Sequence, residues 1–413
     1  MKSKFYISIS VFIILLFCRI ESQQLASIKV RLNSQQYDQY VPVSINLDKI
    51  TFLSEDSLQL NQIIGDKRIP LPFQLKTEEN RKLCWLLYPT GEDNYQFELI
   101  RSKKAINKPN IKLEKNNGLL TIRSDQRNLL GYQYGIKYPP AGVDSVYKRS
   151  AFIHPVWSPH GQILTRIQPP DHYHHYGIWN PWTKVLFEGD TLDFWNLHAR
   201  QGTVRFDKFV SLITGPVFGE IQAIHEHVAF KKNGTKQIAM NELQTIRVYY
   251  PQNNYYIIDL IINLNCTNDQ PVKFLKHRYG GFGWRATEQW NPQNSELLSS
   301  EHKSLAEVDN TTGNWFYLQG EVDNEYAGIL MMSYPTNIHH PQPMRMWGDP
   351  NEKRGLFASF SPTRYKDWLL EPAKSYTLKY RFVVYNGKIN LKIAENFWNN
   401  YANPPEIEIS NIK

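Results

Sequence analysis

The segment from Asn254 to Asn265 reads NYYIIDLIINLN, and its length decides the predicted fold. Runs rich in isoleucine and tyrosine are typical of strands. This run is about twice as long as the usual strand of roughly five to six residues. Comparable runs lie on both sides of it in the chain, namely GLLTIRS (118–124), LQTIRVYYP (243–251), AGILMMSYP (327–335) and SYTLKYRFVVYNG (375–387). Together they predict a large antiparallel β-sandwich.

The N-terminal part of the chain has shorter, alternating segments. SIKVRLN, VPVSINL, KITFL, LCWLLYP and YQFELIR read as strands that are separated by polar turns, which predicts a small β-sandwich over residues 23–110. The segment KPNIKLEKNNG (108–118) is rich in turn formers and predicts the boundary with the large domain, residues 111–413. Near the end, Ile389, Ile393, Phe397 and Tyr401 have i, i+4 spacing and predict one terminal helix. The predicted fold class is therefore mainly β.

Residues 1–22 have the layout of a secretory signal: a basic start, an apolar run and then small polar residues. They predict export to the periplasm or the medium. Cys18 allows a lipoprotein anchor as the less favoured reading, because Leu15, Leu16 and Phe17 before it are bulky. No later apolar run approaches the roughly 20 residues that span a bilayer. Cys84 and Cys266 then remain, and whether they pair is left open.

The net charge predicts the chemistry of the partner. The chain of 413 residues carries a formal charge of +8, and the predicted signal contributes only a small part of it. An exported basic chain favours an acidic oligosaccharide or polysaccharide over nucleic acid, although a solvated basic surface explains the charge equally well. The oligomeric state is left open, with a homodimer as one option.

The stretch PPDHYHHYGIW (169–179) places three histidines, an aspartate and two tyrosines in eleven positions. Two prolines and Gly177 predict a loop at a sheet edge. In an extended loop, His172 and His174 would face one way and His175 the other. The His172/His174 pair could hold a divalent metal with Asp171 beside it, or it could supply a general base. The sequence does not decide between the two.

Further candidate residues cluster in the segments on either side and later in the chain, and the pair His225 and His227 on one strand is interpreted as structural. The predicted catalytic residues are His172, His174, His175, Tyr176, His277 and Tyr279. The predicted substrate-binding residues are His154, Arg166, Asp171, Trp179, Asp193, Trp195, His198, Arg278, His340, Arg345 and Trp347.

These motifs together resemble one family. FIHPVWSPHGQILT, PPDHYHHYGIW, the DFW at 193–195, YGGFGWR, the YPTN at 334–337 and SYTLKYRFVVYNG are similar to the bacterial "PmoA-like" family of unknown function, DUF6807, over most of the chain after about residue 140. The resemblance implies an exported protein related in outline to galactose-mutarotase-like supersandwiches and linked to carbohydrate degradation. The chain departs from the family pattern where Tyr173 and Tyr176 replace a proline and an arginine.

The residue inventory favours one reaction class. The candidate segments are richer in histidine, tyrosine and arginine than in the carboxylate pairs that glycoside hydrolysis uses. The inventory predicts β-elimination on a uronate, by a dehydratase or polysaccharide lyase. In this reading His174 or His175 and Tyr176 or Tyr279 act as base and acid, and Arg166, Arg278 or Arg345 neutralises the carboxylate. A mutarotase-type epimerase, a glycosidase and a non-catalytic glycan-binding protein are the alternatives.

Overall fold

A computed structural model describes residues 23–32, 39–102, 110–347 and 355–411. The predicted signal peptide and Cys18 therefore lie outside the described residues. In the described part of the chain, all strand pairs are antiparallel and Leu391–Ala402 (α1) is the α-helix. The prediction of a mainly-β chain, with a small sandwich, a large antiparallel sandwich and a C-terminal helix, is confirmed.

The N-terminal sandwich consists of a five-stranded sheet, in the order β29-β1-β7-β3-β4, and a three-stranded sheet, in the order β2-β6-β5. Its strands are β1 (Gln24–Arg31), β2 (Val41–Asn46), β3 (Leu58–Ile64), β4 (Lys67–Leu71), β5 (Phe73–Thr77), β6 (Arg81–Leu87), β7 (Asn94–Arg101) and β29 (Glu406–Asn411). Alternate residues of the facing strands, such as Ile28, Val43 and Trp85, fill its core. The last strand of the chain thus pairs with the first, so the first sheet also contains residues from beyond position 110.

The large sandwich packs a nine-stranded sheet, in the order β22-β25-β26-β20-β12-β11-β10-β9-β8, against an eight-stranded sheet, in the order β15-β16-β17-β18-β28-β24-β23-β21. A four-stranded sheet, in the order β14-β13-β19-β27, adds to it. The strands are β8 (Ile111–Asn116), β9 (Leu119–Ser124), β10 (Arg127–Gln133), β11 (Phe152–Val156), β12 (Ile178–Trp179), β13 (Val185–Phe187), β14 (Asp190–Leu192), β15 (Gly202–Ile213), β16 (Phe218–Phe230), β17 (Lys236–Tyr249), β18 (Tyr255–Cys266), β19 (Val272–Phe274), β20 (Gly283–Arg285), β21 (Ser295–Ser299), β22 (Thr312–Gly313), β23 (Trp315–Val322), β24 (Glu325–Ser333), β25 (Gln342–Trp347), β26 (Phe357–Phe360), β27 (Trp368–Leu370) and β28 (Ser375–Asn386).

The long apolar run at residues 254–265 forms strand β18, at the centre of the eight-stranded sheet. Tyr256, Ile258 and Leu260 project from one face into the main core between the sheets. Ile257, on the other face, packs into a second cluster that includes the helix residue Phe397. Because both faces are covered, the strand reads as a nearly continuous apolar run.

Three local expectations are corrected or resolved. KITFL does not form a strand: Leu47–Lys49 is a 3₁₀ turn and the following residues are irregular, because Arg81 ties this segment down through the carbonyls of Thr51 and Leu53. Most of the segment predicted as a boundary is instead strand β8, and residues 103–109 lie outside the described part. Cys84 and Cys266 are both free thiols. The domain limits stay a prediction.

The two sandwiches meet through buried polar contacts. The Lys76 ammonium lies 2.7 Å from the Glu220 carboxylate, and both side chains are almost fully buried. Oε1 of the Gln74 side chain accepts hydrogen bonds from the backbone N–H groups of Val217 and Phe218. Since polar groups at this depth need partners, these contacts fix the two sandwiches against one another. Among the described residues, none of the helices is long and apolar enough to cross a membrane.

Candidate functional site

The histidine stretch folds as a compact loop on the outer face of the nine-stranded sheet. Backbone hydrogen bonds from His172 to Pro169 and from His175 to His172 close two successive turns. Gly177 then leaves the loop with φ of +54°, and a Cβ at that position would lie 2.2 Å from the Ile153 carbonyl oxygen. Only glycine fits this exit, which agrees with the role predicted for it.

The turns bring the three imidazoles together. The ring centroids of His172 and His174 are 5.3 Å apart, and His175 lies 4.9 Å from each of them. The loop is turned and not extended, so the expectation for an extended loop, with His172 and His174 on one side and His175 on the other, does not apply. The result is one cluster of three rings.

An aromatic wall supports this cluster. The His175 ring packs against Trp179, Trp195, Trp347 and Phe357, with centroids 5.1 to 6.0 Å away. Burial holds the pKa of His175 well below its usual range, so the ring is neutral at physiological pH. This wall places the deepest histidine in an apolar setting.

Strand pairing explains how the wall is assembled. Trp347 pairs with Phe357, and Phe357 pairs with Arg285, so the three side chains share one face of the sheet. Gly283, two residues before Arg285, pairs with Trp179. A Cβ at Gly283 would meet the rings of Phe357 and Trp195 at 3.1 to 3.2 Å, so the glycine makes room for the wall.

One ion pair anchors the loop to the sheet. Nη2 of the fully buried Arg285 donates to Oδ2 of Asp171 at 2.6 Å, and Nδ1 of His172 lies 3.2 Å from the same oxygen. Burial raises the pKa of Asp171, but the contacts with His172 and Arg285 outweigh it and hold this pKa well below its usual range. Asp171 is thus a fixed anion that cannot serve as a proton donor.

His174 and His198 form the open side of the cluster. Their ring centroids are 6.1 Å apart, His174 is partly exposed and His198 is exposed. Burial, and then the charges of His172, His198, Arg149 and Arg285, lower the pKa of His174 to about 3. Its imidazole is therefore neutral and able to accept a proton.

A second loop brings Tyr279 to the other side of Trp195, whose ring lies 5.3 Å from the tyrosine ring. Nδ2 of Asn196 donates to the Tyr279 hydroxyl at 2.9 Å. In the described part of the chain, the Tyr279 O–H donates to no other group. His277 packs on Tyr279 at 4.7 Å, and burial lowers the pKa of His277.

Asp193 positions this second loop and is not free to react. Its carboxylate accepts hydrogen bonds from the backbone N–H groups of Trp195 and Asn196 and from the Asn196 side chain, at 2.7 to 2.8 Å. These bonds close a turn over residues 193–196 that leads into the 3₁₀ turn Leu197–Ala199. Asp193 thus orients Asn196, which in turn orients Tyr279.

The three predicted arginines have different partners. Arg278 lies over the Tyr279 ring at 5.5 Å and makes no ion pair with any described residue. Arg345, on β25, donates to Asp309 at 2.7 Å. Arg166 lies 3.3 Å from the exposed Glu288 carboxylate. Among the described residues, Arg166 and Arg345 are thus paired with carboxylates, whereas Arg278 is not.

Three predicted residues point elsewhere. Tyr176 is buried, its hydroxyl donates to the Tyr147 carbonyl, and burial raises its pKa to about 12. His154 pairs its Nδ1 with Thr165 and lines a neighbouring cleft. His340 sits after the turn between β24 and β25, half-buried, and its N–H donates to the Asn337 carbonyl. Their assigned roles stay predictions.

Arg149, Arg285 and Asn196 were missed as site residues. Arg285 ends the motif YGGFGWR and Asn196 directly follows the DFW at 193–195, so their position in or beside these motifs was the available signal. Arg149 is buried beneath the site, where burial lowers its pKa to about 10, and its charge acts on both His174 and Glu242. No sequence pattern marked it.

The described residues do not show the arrangement of ligands that the predicted metal site would require. Across residues 23–32, 39–102, 110–347 and 355–411, no three His, Cys, Asp or Glu side chains are arranged to hold a metal ion. At the predicted location Asp171 is already engaged by Arg285. We therefore derive no chemical step that involves a metal.

Comparison with known proteins places the chain in a family. The model of the family of unknown function DUF6807 matches residues 120–399, and the chain belongs to this family. No curated protein matches it. Among solved structures, a mutant of the heparan sulfate lyase HepC from Pedobacter heparinus is similar with a TM-score of 0.34 and 8% identity, over 68% of this chain and 37% of that one. The chain spans little more than a third of that protein.

Proposed function

We propose that the chain is a carbohydrate-active carbon–oxygen lyase that performs β-elimination on a uronate residue of an oligosaccharide. The observation that carries the proposal is the cluster of three histidines against Trp195, on whose other side lie Tyr279, its partner Asn196 and Arg278. An anionic sugar suits a site that has neutral imidazoles surrounded by cations.

His174 is the proposed base. Its imidazole is neutral, and of the three clustered histidines it lies on the open side. A substrate carboxylate bound among the cations would offset their charge and raise the pKa of His174 towards neutrality, where a general base is most effective. His174 would then remove the proton at C5 of the uronate.

Tyr279 is the proposed acid. Its hydroxyl accepts from Asn196, which leaves its own proton free to be donated. As C5 loses its proton, the electron pair forms the C4–C5 double bond, the bond from C4 to its oxygen breaks, and Tyr279 protonates the departing oxygen. The products are an unsaturated uronate and either a shortened sugar or water.

Arg278 and Arg345 are the proposed partners of the carboxylate. They lie close enough for the charge of Arg278 to lower the pKa of Arg345, after the larger effect of burial. Two neighbouring cations would stabilise the negative charge that develops on the carboxylate when the C5 proton leaves. Arg278 is the more available, since Arg345 already pairs with Asp309.

Hydrolysis fits the carboxylates of the site poorly. A glycosidase needs one carboxylic acid with a raised pKa and a second carboxylate. Asp171 has a lowered pKa and pairs with Arg285, while Asp193 accepts three hydrogen bonds from its own turn. Both carboxylates are committed to holding the loops in place.

The test follows the absorbance of the unsaturated uronate when the purified protein is mixed with a panel of polyuronate and glycosaminoglycan oligosaccharides. The wild-type protein should produce a rising signal with at least one of them. His174→Asn and Tyr279→Phe should each lower the rate by about a hundredfold or more, since each removes a proton-transfer group.

His302→Asn is the matched control, because His302 is exposed on the turn after β21 of the other sheet. This variant should keep the wild-type rate. A flat trace with every uronate, while the oligosaccharides still bind, would overturn the elimination mechanism and favour a glycan-binding protein. A change in anomer ratio without new absorbance would favour an epimerase.

A further inference from the structure

Two open clefts lie beside the histidine loop, in a region that the proposed reaction does not use. The first has a volume of about 530 Å³ and is lined by Arg166, Gln168 and Pro169, among others. The second, of about 570 Å³, is lined by Trp157, His160 and Arg127, among others. Gly161 lines both clefts, so the two clefts adjoin at this residue, and together they are called the groove.

The groove begins at the candidate site. Gln168 and Pro169 directly precede the turns that carry the histidines. At Gly355, a Cβ would lie 3.2 Å from Nη2 of Arg285 and 3.8 Å from Nη1 of Arg166. The cation that anchors Asp171 and the cation that lines the groove are thus neighbours. The first cleft therefore lies next to the histidine loop.

The lining of the first cleft offers paired donors and acceptors. Arg166 faces the Glu288 carboxylate at 3.3 Å, and Nε2 of Gln289 donates to Asp323 at 2.8 Å. Ile163 adds an apolar surface and is 40% exposed. Hydroxyl groups of a sugar both donate and accept hydrogen bonds, so they suit such pairs.

The second cleft adds an aromatic platform. Trp157 is partly exposed, whereas Trp179 and Trp195 in the wall of the site are buried beneath their neighbours. A partly exposed indole beside polar groups is a surface on which the apolar face of a sugar ring can pack. No atom lies within 4 Å of a Cβ built at Gly161, so the wall between the clefts is low and open.

We propose that this groove binds the sugar residues next to the reacting uronate, so that the substrate is an oligosaccharide chain of several residues and not a mono- or disaccharide. The inference rests on the proposed function for the position of the reacting residue. Each cleft has a volume within the usual range of ligand sites, about 300 to 1,000 Å³. Trp157 is the stacking residue of the groove.

The experiment compares matched uronate oligosaccharides of two and six residues, by calorimetric binding and by turnover. Trp157→Ala should weaken binding of the hexasaccharide about three- to tenfold, and should leave the disaccharide unchanged. Phe52→Ala is the matched control, because Phe52 is an 81% exposed aromatic residue of the N-terminal sandwich. This control should bind both ligands as the wild-type protein does.

A second variant, Ile163→Trp, fills the first cleft at an exposed position and should weaken the hexasaccharide without affecting the disaccharide. Equal binding of the two lengths by the wild-type protein, or equal losses for both in these variants, would overturn the groove. If binding depends on the length of the oligosaccharide but no turnover is seen, the proposed groove is supported and the proposed elimination reaction is overturned. If turnover is seen but does not depend on length, the elimination reaction is supported and the groove is overturned.

Discussion

Two clusters of histidines lie in the large sandwich, and they differ in what stands at their centre. His225 and His227, on β16, flank the buried carboxylate of Glu242, at 3.4 and 3.0 Å. The loop cluster of His172, His174 and His175 has only Asp171 at its edge, and Arg285 engages that carboxylate. One cluster is built around an anion, and the other is not.

The surroundings of Glu242 complete the buried cluster. Asn180 and Gln244 both donate to its oxygens at 3.0 Å, and the Tyr132 hydroxyl lies 2.7 Å from Nε2 of His225. Burial raises the pKa of Glu242, but the two histidines outweigh it and hold this pKa well below the usual range. These contacts agree with the structural role that the sequence analysis gave to His225 and His227.

This difference indicates that an anion from outside the protein would bind beside the loop cluster and not beside the buried cluster. In the described residues, the ring of His174 makes no hydrogen bond, and the nearby charges that act on it are all positive. Because His174 is partly exposed, a ligand can reach its ring, and the positive charges around the ring would attract an anion placed there. The buried cluster contains its own carboxylate, whereas in the proposed function the carboxylate of the substrate would lie beside the loop cluster.

Removing the central carboxylate should produce the largest effect. Glu242→Ala leaves His225, His227, Asn180 and Gln244 without their shared partner, and should lower the free energy of unfolding by about 3 to 5 kcal/mol. Denaturant unfolding measures this change. Glu226→Ala, on the neighbouring strand β16, removes the pair with the exposed Arg205 and should cost less than about 1 kcal/mol. If the two variants lowered the free energy of unfolding equally, then Glu242 would not be the central stabilising group of the buried cluster, and the proposed difference between the clusters would be wrong.

The acid dependence of stability should separate the clusters further. The folded pKa of His174, about 3, lies below its unfolded value of roughly 6.5. Between these values the unfolded chain binds a proton that the folded chain does not, so stability falls as pH falls from 6.5 towards 4. His174→Asn should remove about 1 to 2 kcal/mol of that fall, after allowance for partial exposure.

Unfolding curves measured at pH 7 and pH 4 would test this difference. His302→Asn should follow the wild-type protein at both values, because His302 is exposed. A steeper acid loss in His174→Asn would mean that the folded chain protonates this ring readily. The proposed need for an anionic ligand would then be lost.

The sequence predicted the large sandwich because the long strands around β18 are recognisable from composition and length. It also predicted the loop cluster, Tyr279 and His277, because these residues stand in dense local motifs. It could not predict that Asp171 pairs with Arg285, or that Trp179 and Trp195 are buried, because these contacts join loops and strands far apart in the chain. The prediction of a strand at KITFL was wrong for a related reason. Arg81, 28 residues after Leu53, holds that segment in an irregular conformation by donating a hydrogen bond to the Leu53 carbonyl.

The smallest effect is expected at a third kind of histidine. His160 lies at the surface, 2.6 Å from the Glu325 carboxylate, and both side chains are more than 40% exposed. An exposed pair gains little from its charges, so His160→Ala should change the free energy of unfolding by less than about 0.5 kcal/mol, and high salt should abolish the difference. His227→Ala, which leaves the buried Glu242 with one histidine fewer, should cost several times more under the same conditions. If both substitutions cost the same, then contact with a carboxylate, and not its burial, would govern what a histidine contributes to this fold.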